Sequence, residues 1–276
     1  MAARSLVFAM GVGRCGTRSL ASAFGSLPDV FSVHEPSPSL IELAEVSFRG
    51  HVVSLARLHE LRRELDHFPY YLESSIWNCW LVPSILELWP HAQFIWLTRN
   101  VFEWAYSAYR RGWYLSLAEE TRETMVRLRP QPIWPGGISR WFKLGFLWQF
   151  YNDRIGGSLY KHRAPWIMID VKSLNDIKVL EALRLWCEFP GTVKETVHEN
   201  KGDLYVTTRE LHAEYQDAAG ENLDIPLHVT ALSEVGVKKV AERAALCQKF
   251  AGLPEDAVKD LTAGMRWASQ PIGTNY

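Results

Sequence analysis

Gly11-Val12-Gly13-Arg14-Cys15-Gly16-Thr17-Arg18-Ser19-Leu20, residues 11–20, is the stretch on which the fold turns. The apolar run Leu6 to Met10 precedes it, and Thr17 to Phe24 follows with helical spacing. A short apolar run stopped by glycine reads as a buried parallel strand, so the segment is a strand–loop–helix unit. Backbone N–H groups in such a loop, together with the positive end of the helix, make an anion site. The glycines let the backbone come close to the anion, and Arg14 and Arg18 crowd cationic charge into the same turn. A tight turn without a ligand has no use for that charge.

Outward from this loop the same pattern recurs. Val30 to His34, Tyr70 to Glu73, Phe94 to Thr98 (FIWLT) and Trp166 to Asp170 (WIMID) read as further strands. Helices are expected over 39–47, 57–66, 81–89, 101–109, 139–155 and 174–188, and later at 208–217, 236–250 and 254–264. Strands alternating with helices, and apolar throughout, indicate an α/β fold with a central parallel sheet flanked by helices. Neither a repeat nor a convincing boundary divides the chain, so residues 1–276 are expected to form a single domain.

Composition narrows the function classes. The 276 residues are 47% apolar and 22% charged, enough for a large core and against disorder. Thirty basic and 31 acidic side chains cancel, which excludes a polybasic nucleic-acid or membrane-surface protein. Cysteines at 15, 79, 187 and 247 have neither zinc-ligand nor redox-pair spacing, which fits a reducing compartment. The N-terminal apolar run is too short for a secretory signal, and no stretch approaches the ~18 apolar residues of a membrane span. A cytoplasmic protein with neither nucleic-acid nor membrane partner is therefore expected. Of 12 tryptophans, 10 lie from Trp77 to Trp166, an uneven distribution that calls for a use.

Two readings of the glycine loop compete with a third. As GxGxxG it matches the dinucleotide fingerprint, and Glu35 follows Gly16 by 19 residues, where a ribose-binding carboxylate belongs. That reading, an NAD(P)-dependent oxidoreductase, puts Arg14 where the backbone must touch pyrophosphate, and no YxxxK accompanies it. As GxxxxG the loop matches the start of a phosphate loop of the NTPase type. Thr17-Arg18 then replaces Lys-Ser/Thr, so the phosphate-reaching lysine and magnesium hydroxyl are missing. Asp170, at the end of WIMID, only imitates the magnesium-binding strand of such enzymes.

The third reading uses more of the chain. GVGRCGTRSL resembles the 5′-phosphosulfate loop of the sulfotransferases that depend on 3′-phosphoadenylyl sulfate (PAPS), and its GTR half is similar to the carbohydrate-acting and bacterial branches. FIWLTRNVFEWAYSAY resembles the family's second hallmark, an apolar strand ending in Arg99 with Ser107 eight residues on. Independently of the resemblance, Arg99 at a strand end and Ser107 two helical turns later suit a second phosphate, with an arginine fork and a hydroxyl. A nucleotide with phosphate at both the 3′ and 5′ positions needs two such sites. The resemblance spans roughly residues 5–175 and implies the P-loop-like sulfotransferase fold. Departures include Cys15 in place of a serine and Glu73-Ser74-Ser75 in place of a lysine-bearing turn. The C-terminal closing loop survives only in Asn200-Lys201-Gly202-Asp203, from which Lys201 and Gly202 are carried over.

The implied roles follow. Arg14, Cys15, Gly16, Thr17, Arg18 and Ser19 hold the 5′-phosphate, and Arg99, Ser107, Lys201 and Gly202 the 3′-phosphate. Arg14 also stabilises charge growing on the bridging oxygen of the leaving adenosine 3′,5′-bisphosphate (PAP). Glu35 stands where the carbohydrate and tyrosyl branches have a catalytic glutamate; as a buried carboxylate beside an apolar acceptor it would act as base. His34 is its rival and Glu73 a substrate-orienting alternative. No metal is implied, because ligand spacing such as HExxH is absent. The partner is a small-molecule or glycan-like acceptor, with Trp113, Tyr114 and the proline-rich loop 130–137 as elements of its pocket. A non-catalytic nucleotide-binding module is the remaining competitor.

Overall fold

The computed structural model describes residues 5–37, 39–110, 113–114, 137–194 and 255–268. They fall into two compact units, the first carrying the described residues of 5–99 and 150–194, the second those of 100–149 and 255–268.

The first unit is built on five strands: β1 (Ser5–Met10), β2 (Val30–His34), β3 (Tyr70–Ser74), β4 (Gln93–Thr98) and β5 (Trp166–Asp170). All pair in parallel in the order β2-β3-β1-β4-β5. Central β1 is buried along its whole length, which is why its sequence is apolar without alternation. Edge strand β5 alternates instead, exposing Trp166 and Met168 and half-burying Ile167 and Ile169. Between these strands run α1 (Thr17–Phe24), α2 (Ser39–Phe48), α3 (Leu55–Glu60) and α4 (Asn78–Leu88), with α5 (Val101–Arg110), α6 (Arg140–Lys161), α7 (Ile177–Trp186) and α8 (Glu255–Ala268) later in the chain.

The strand order separates the competing readings. Doubly wound dinucleotide folds place β2 directly beside β1. Here β3 takes that place, so the end of β2 lies two strands away from the glycine loop, roughly 10 Å at the usual strand spacing. Glu35 is not positioned as the ribose carboxylate of a dinucleotide fold. From β1 the chain leaves toward β3 and β2, whereas from β4 it leaves toward β5. Neighbours whose connections depart in opposite directions form a switch point, where open α/β sheets bind ligands. The loop after β1 and Arg99 after β4 flank that point.

Several helices differ from the sequence-based expectation, each for a local reason. The helix expected at 57–66 divides into α3, which Ser54 starts by accepting the Arg57 N–H at 3.3 Å, and a 3-10 turn, Arg63–Asp66. Between the two, Arg62 turns inward and is completely buried. The helix expected at 174–188 likewise divides at Asp176, whose carboxylate caps α7 through the Lys178 N–H. Helix α6 runs six residues beyond the expected end, through Gly156-Gly157. A Cβ at Gly156 would lie 3.1 Å from the Trp96 indole, so the glycine admits that ring rather than ending the helix. In the second unit, α8 agrees with the helix expected from residue 254. The helices expected at 208–217 and 236–250 lie outside the described residues.

In the second unit α6 and α8 touch backbone to backbone. A Cβ on Gly145 would sit 2.0 Å from the Leu261 carbonyl oxygen, and one on Gly264 would be equally obstructed by Phe142. Trp267 packs against Phe142 and Phe146 beside this crossing.

Candidate functional site

The glycine loop is shaped by its contacts. At Gly11 an added Cβ would lie 2.5 Å from the Leu97 carbonyl oxygen, so the start of the loop presses on β4. Gly16 is left-handed, with φ 80°, and a Cβ there would lie 2.5 Å from Val171. Only glycine meets both demands. Gly16 is also the N-cap of α1, and no side chain caps that helix or places an acidic group in its first turn. At the start of α1 neither a capping side chain nor an acidic group competes with an anion for the positive end of the helix dipole.

Side chains add to this receptor. Arg14 is left-handed as well, at φ 72°, an unusual conformation for a residue with a Cβ. Arg99 donates from Nη1 to the Arg14 carbonyl oxygen at 3.1 Å, joining the end of β4 to the turn after β1. Arg18 is exposed, Ser19 half-buried and Thr17 buried at the start of α1. Cys15 is only 1% exposed, and burial pushes its thiol up to about 12 against the opposing pull of Arg99 and Arg14. It is a neutral packing group rather than a nucleophile. Asp170 is engaged locally, its carboxylate accepting the Lys172 N–H at 2.8 Å.

The neighbouring strand ends hold the candidate bases. Glu35 leaves β2 in a left-handed conformation, φ 49°, and donates its N–H to the Ser74 carbonyl at 3.1 Å. Its side chain is exposed, which corrects the expectation of a buried carboxylate; β2 is the outermost strand on that side and Glu35 lies beyond its end. His34 Nδ1 lies 3.0 Å from the Ser74 carbonyl oxygen and 3.1 Å from Ser74 Oγ. Ser74 gives its single hydroxyl proton to the Thr17 carbonyl at 2.9 Å. Both atoms facing Nδ1 therefore accept, so Nδ1 carries the proton and a neutral His34 keeps its lone pair on Nε2.

Glu73 is not a substrate-facing group. It is fully buried, accepts Arg62 Nε at 2.7 Å and Nη2 at 2.9 Å, and receives the Tyr71 hydroxyl at 3.0 Å. Arg62 Nη2 also donates to Asn78 Oδ1 at 2.8 Å, tying β3 to the start of α4. Residue 73 follows Tyr71 by two positions, so the two share one face of β3 and the Tyr71 hydroxyl reaches the carboxylate.

Other expected residues are placed by themselves. Ser107 is half-buried on α5 of the second unit, whose start Asn100 caps through the Phe102 N–H at 3.0 Å. Trp113 and Tyr114 are buried rather than presented to an acceptor. Trp113 packs edge-on against Trp104, and its carbonyl accepts from Arg140, whose guanidinium also lies over Tyr109. Lys201, Gly202 and positions 130–136 of the proline-rich loop lie outside the described residues. Ser74 was missed by sequence reasoning. Its signal was a small polar residue at the C-terminal end of an otherwise apolar strand. Nothing in the sequence around Arg62 sets it apart from the other exposed-looking charges near it.

No group of three or more His, Cys, Asp or Glu side chains suited to a metal occurs among the described residues. None of their helices is long and apolar enough to cross a membrane.

Residues 6–168 match the family described as "Sulfotransferase domain". Among solved structures, a sulfotransferase from Alicyclobacillus acidocaldarius is similar, at 17% identity and a TM-score of 0.47, over 79% of this chain and 94% of that one. No curated protein matches the sequence.

Proposed function

Because the chain belongs to the Sulfotransferase domain family, we propose that it moves a sulfuryl group from PAPS to a hydroxyl or amino group of a small-molecule or glycan-like acceptor. One observation carries the choice of donor: two cationic elements, the glycine turn bearing Arg14 and the strand end bearing Arg99, meet at the β1/β4 switch point beside an uncapped helix. A nucleotide with phosphates at both ends of its ribose is served by such a pair.

In this reading the loop amides, Thr17, Arg18 and Ser19 hold the 5′-phosphosulfate, and the buried Cys15 shapes the turn without contributing a hydroxyl. Arg14 stabilises the negative charge that grows on the bridging oxygen as the sulfuryl group leaves. A guanidinium stays protonated, so it serves as a fixed charge and not as an acid. Arg99 recognises the 3′-phosphate. Ser107 joins it through the motif alone, and Lys201 and Gly202 through the resemblance. Residues 1–276 are then a single sulfotransferase domain, since one sequence motif runs from Arg99 to Ser107.

Glu35 takes the proton from the acceptor. Its left-handed backbone is the kind of sparsely populated conformation retained at functional sites, and its N–H is pinned to Ser74. His34 holds the same turn through Nδ1. In this mechanism no step calls for a metal ion.

The test is a thermal-shift panel with PAP, NADP and Mg·ATP, followed by an acceptor screen with PAPS. PAP alone should stabilise the protein, and sulfated product should form. Stabilisation by NADP alone would overturn the proposal. PAP binding without product across a broad acceptor set would make the protein a nucleotide-binding module.

A further inference from the structure

Arg14 holds a backbone conformation that a side chain disfavours, φ 72°, and its carbonyl is the atom that Arg99 Nη1 reaches at 3.1 Å. That carbonyl shares a peptide plane with the Cys15 N–H, so its direction fixes where that amide of the loop points. We propose that Arg99 is a positioning residue for the 5′-phosphate turn, clamping Arg14 in its left-handed conformation and so coupling recognition of the two ends of the nucleotide. The inference rests on the sulfotransferase reading for the ligand, but the clamp itself is a property of the free protein.

A left-handed residue with a Cβ persists only where its surroundings hold it. A hydrogen bond from a charged donor is about twice as strong as a neutral one. A guanidinium carries five donors in a fixed fork, so one of them can hold the Arg14 carbonyl while others face an anion. A nucleotide with a 3′-phosphate therefore meets a cation already fastened to the turn that binds its other end. If Arg99 served the 3′-phosphate only, its removal would leave ligands lacking that phosphate unaffected.

Calorimetry on the full chain with adenosine 5′-monophosphate and PAP tests this. Arg99→Ala should weaken the monophosphate about tenfold, although that ligand has no 3′-phosphate. Glycine adopts positive φ at no steric cost. In an Arg14→Gly background, the added loss from Arg99→Ala should accordingly shrink to under about twofold for the monophosphate, while the loss for PAP persists. Arg99→Met, which fills the space without a donor, should reproduce Arg99→Ala. Independently of any nucleotide, the carbonyl carbon resonance of Arg14 should shift upfield in both Arg99 variants. An unmoved Arg14 resonance, or an Arg99 effect on the monophosphate that is absent or equal in the two backgrounds, would overturn the clamp. If the resonance moves but the wild type binds neither nucleotide, the clamp stands and the PAPS reading falls.

Discussion

At the residue scale, small polar groups and backbone conformations join the strand ends of the candidate site. Ser74 is the clearest case. Fully buried, it bonds Thr17, His34 and Glu35 at once, joining the start of α1 to the end of β2. With Glu35 as base, Glu35→Gln should leave PAP affinity unchanged and lower turnover by 10²-fold or more, the usual range for loss of a general base. Single-turnover sulfation with saturating PAPS measures this, and retained turnover would transfer the role to His34 or to the acceptor itself. The charged residues of the loop were legible in the sequence because glycine spacing and crowded arginines carry a mechanism. Glu73 was misread for a simple reason: a carboxylate at a strand end looks the same whether it faces ligand or core. Only Arg62, eleven residues away and buried with it, decides which.

At the element scale, two glycines of one helix have opposite meanings. Gly145 in α6 lies against the Leu261 carbonyl of α8, so Gly145→Ala forces the helices apart. The expected cost is about 2 kcal/mol, roughly 5 °C in Tm. Gly157, twelve residues on, is exposed and has nothing within 4 Å of its Cβ position. There, Gly157→Ala should raise stability by about 1 kcal/mol through helix propensity. Thermal unfolding of the two variants side by side checks both signs, and equal shifts would contradict the packing account. The strands and most helices were readable from apolar runs and caps. The extent of α6 was not, because a glycine pair ends a helix in one context and makes room for a tryptophan in another. The tryptophans tell a similar story. Trp80, Trp104, Trp113 and Trp141 are buried, while Trp96 is anchored through Nε1 to Asn152 at 3.2 Å, so core filling claims these before any acceptor pocket does.

At the scale of the whole molecule, three buried cysteines link stability to alkaline pH. Burial raises Cys15 and Cys79 from 9.0 to about 12, and Cys187 further still. Below pH 9 the thiols are protonated in both the folded and unfolded chain, and their contribution is fully present. Between pH 9 and 12 only the unfolded chain releases these protons, so stability must fall as pH rises. Urea unfolding at pH 8, 9.5 and 10.5 should show falling midpoints, with a shallower decline in Cys15→Ala and Cys79→Ala; an identical slope would refute the linkage. By itself the sequence determined the strand–loop–helix unit at residues 11–20, the parallel α/β class and the resemblance to sulfotransferases, because apolar periodicity and glycine chemistry are local. Strand order was decided only in the tertiary structure, since nothing local says whether β2 or β3 lies beside β1. The same is true of which charges face each other. Arg99 reaches Arg14, 85 positions earlier in the chain, and Arg62 meets Glu73 in the core, because the sheet brings those residues together after the chain has crossed over it.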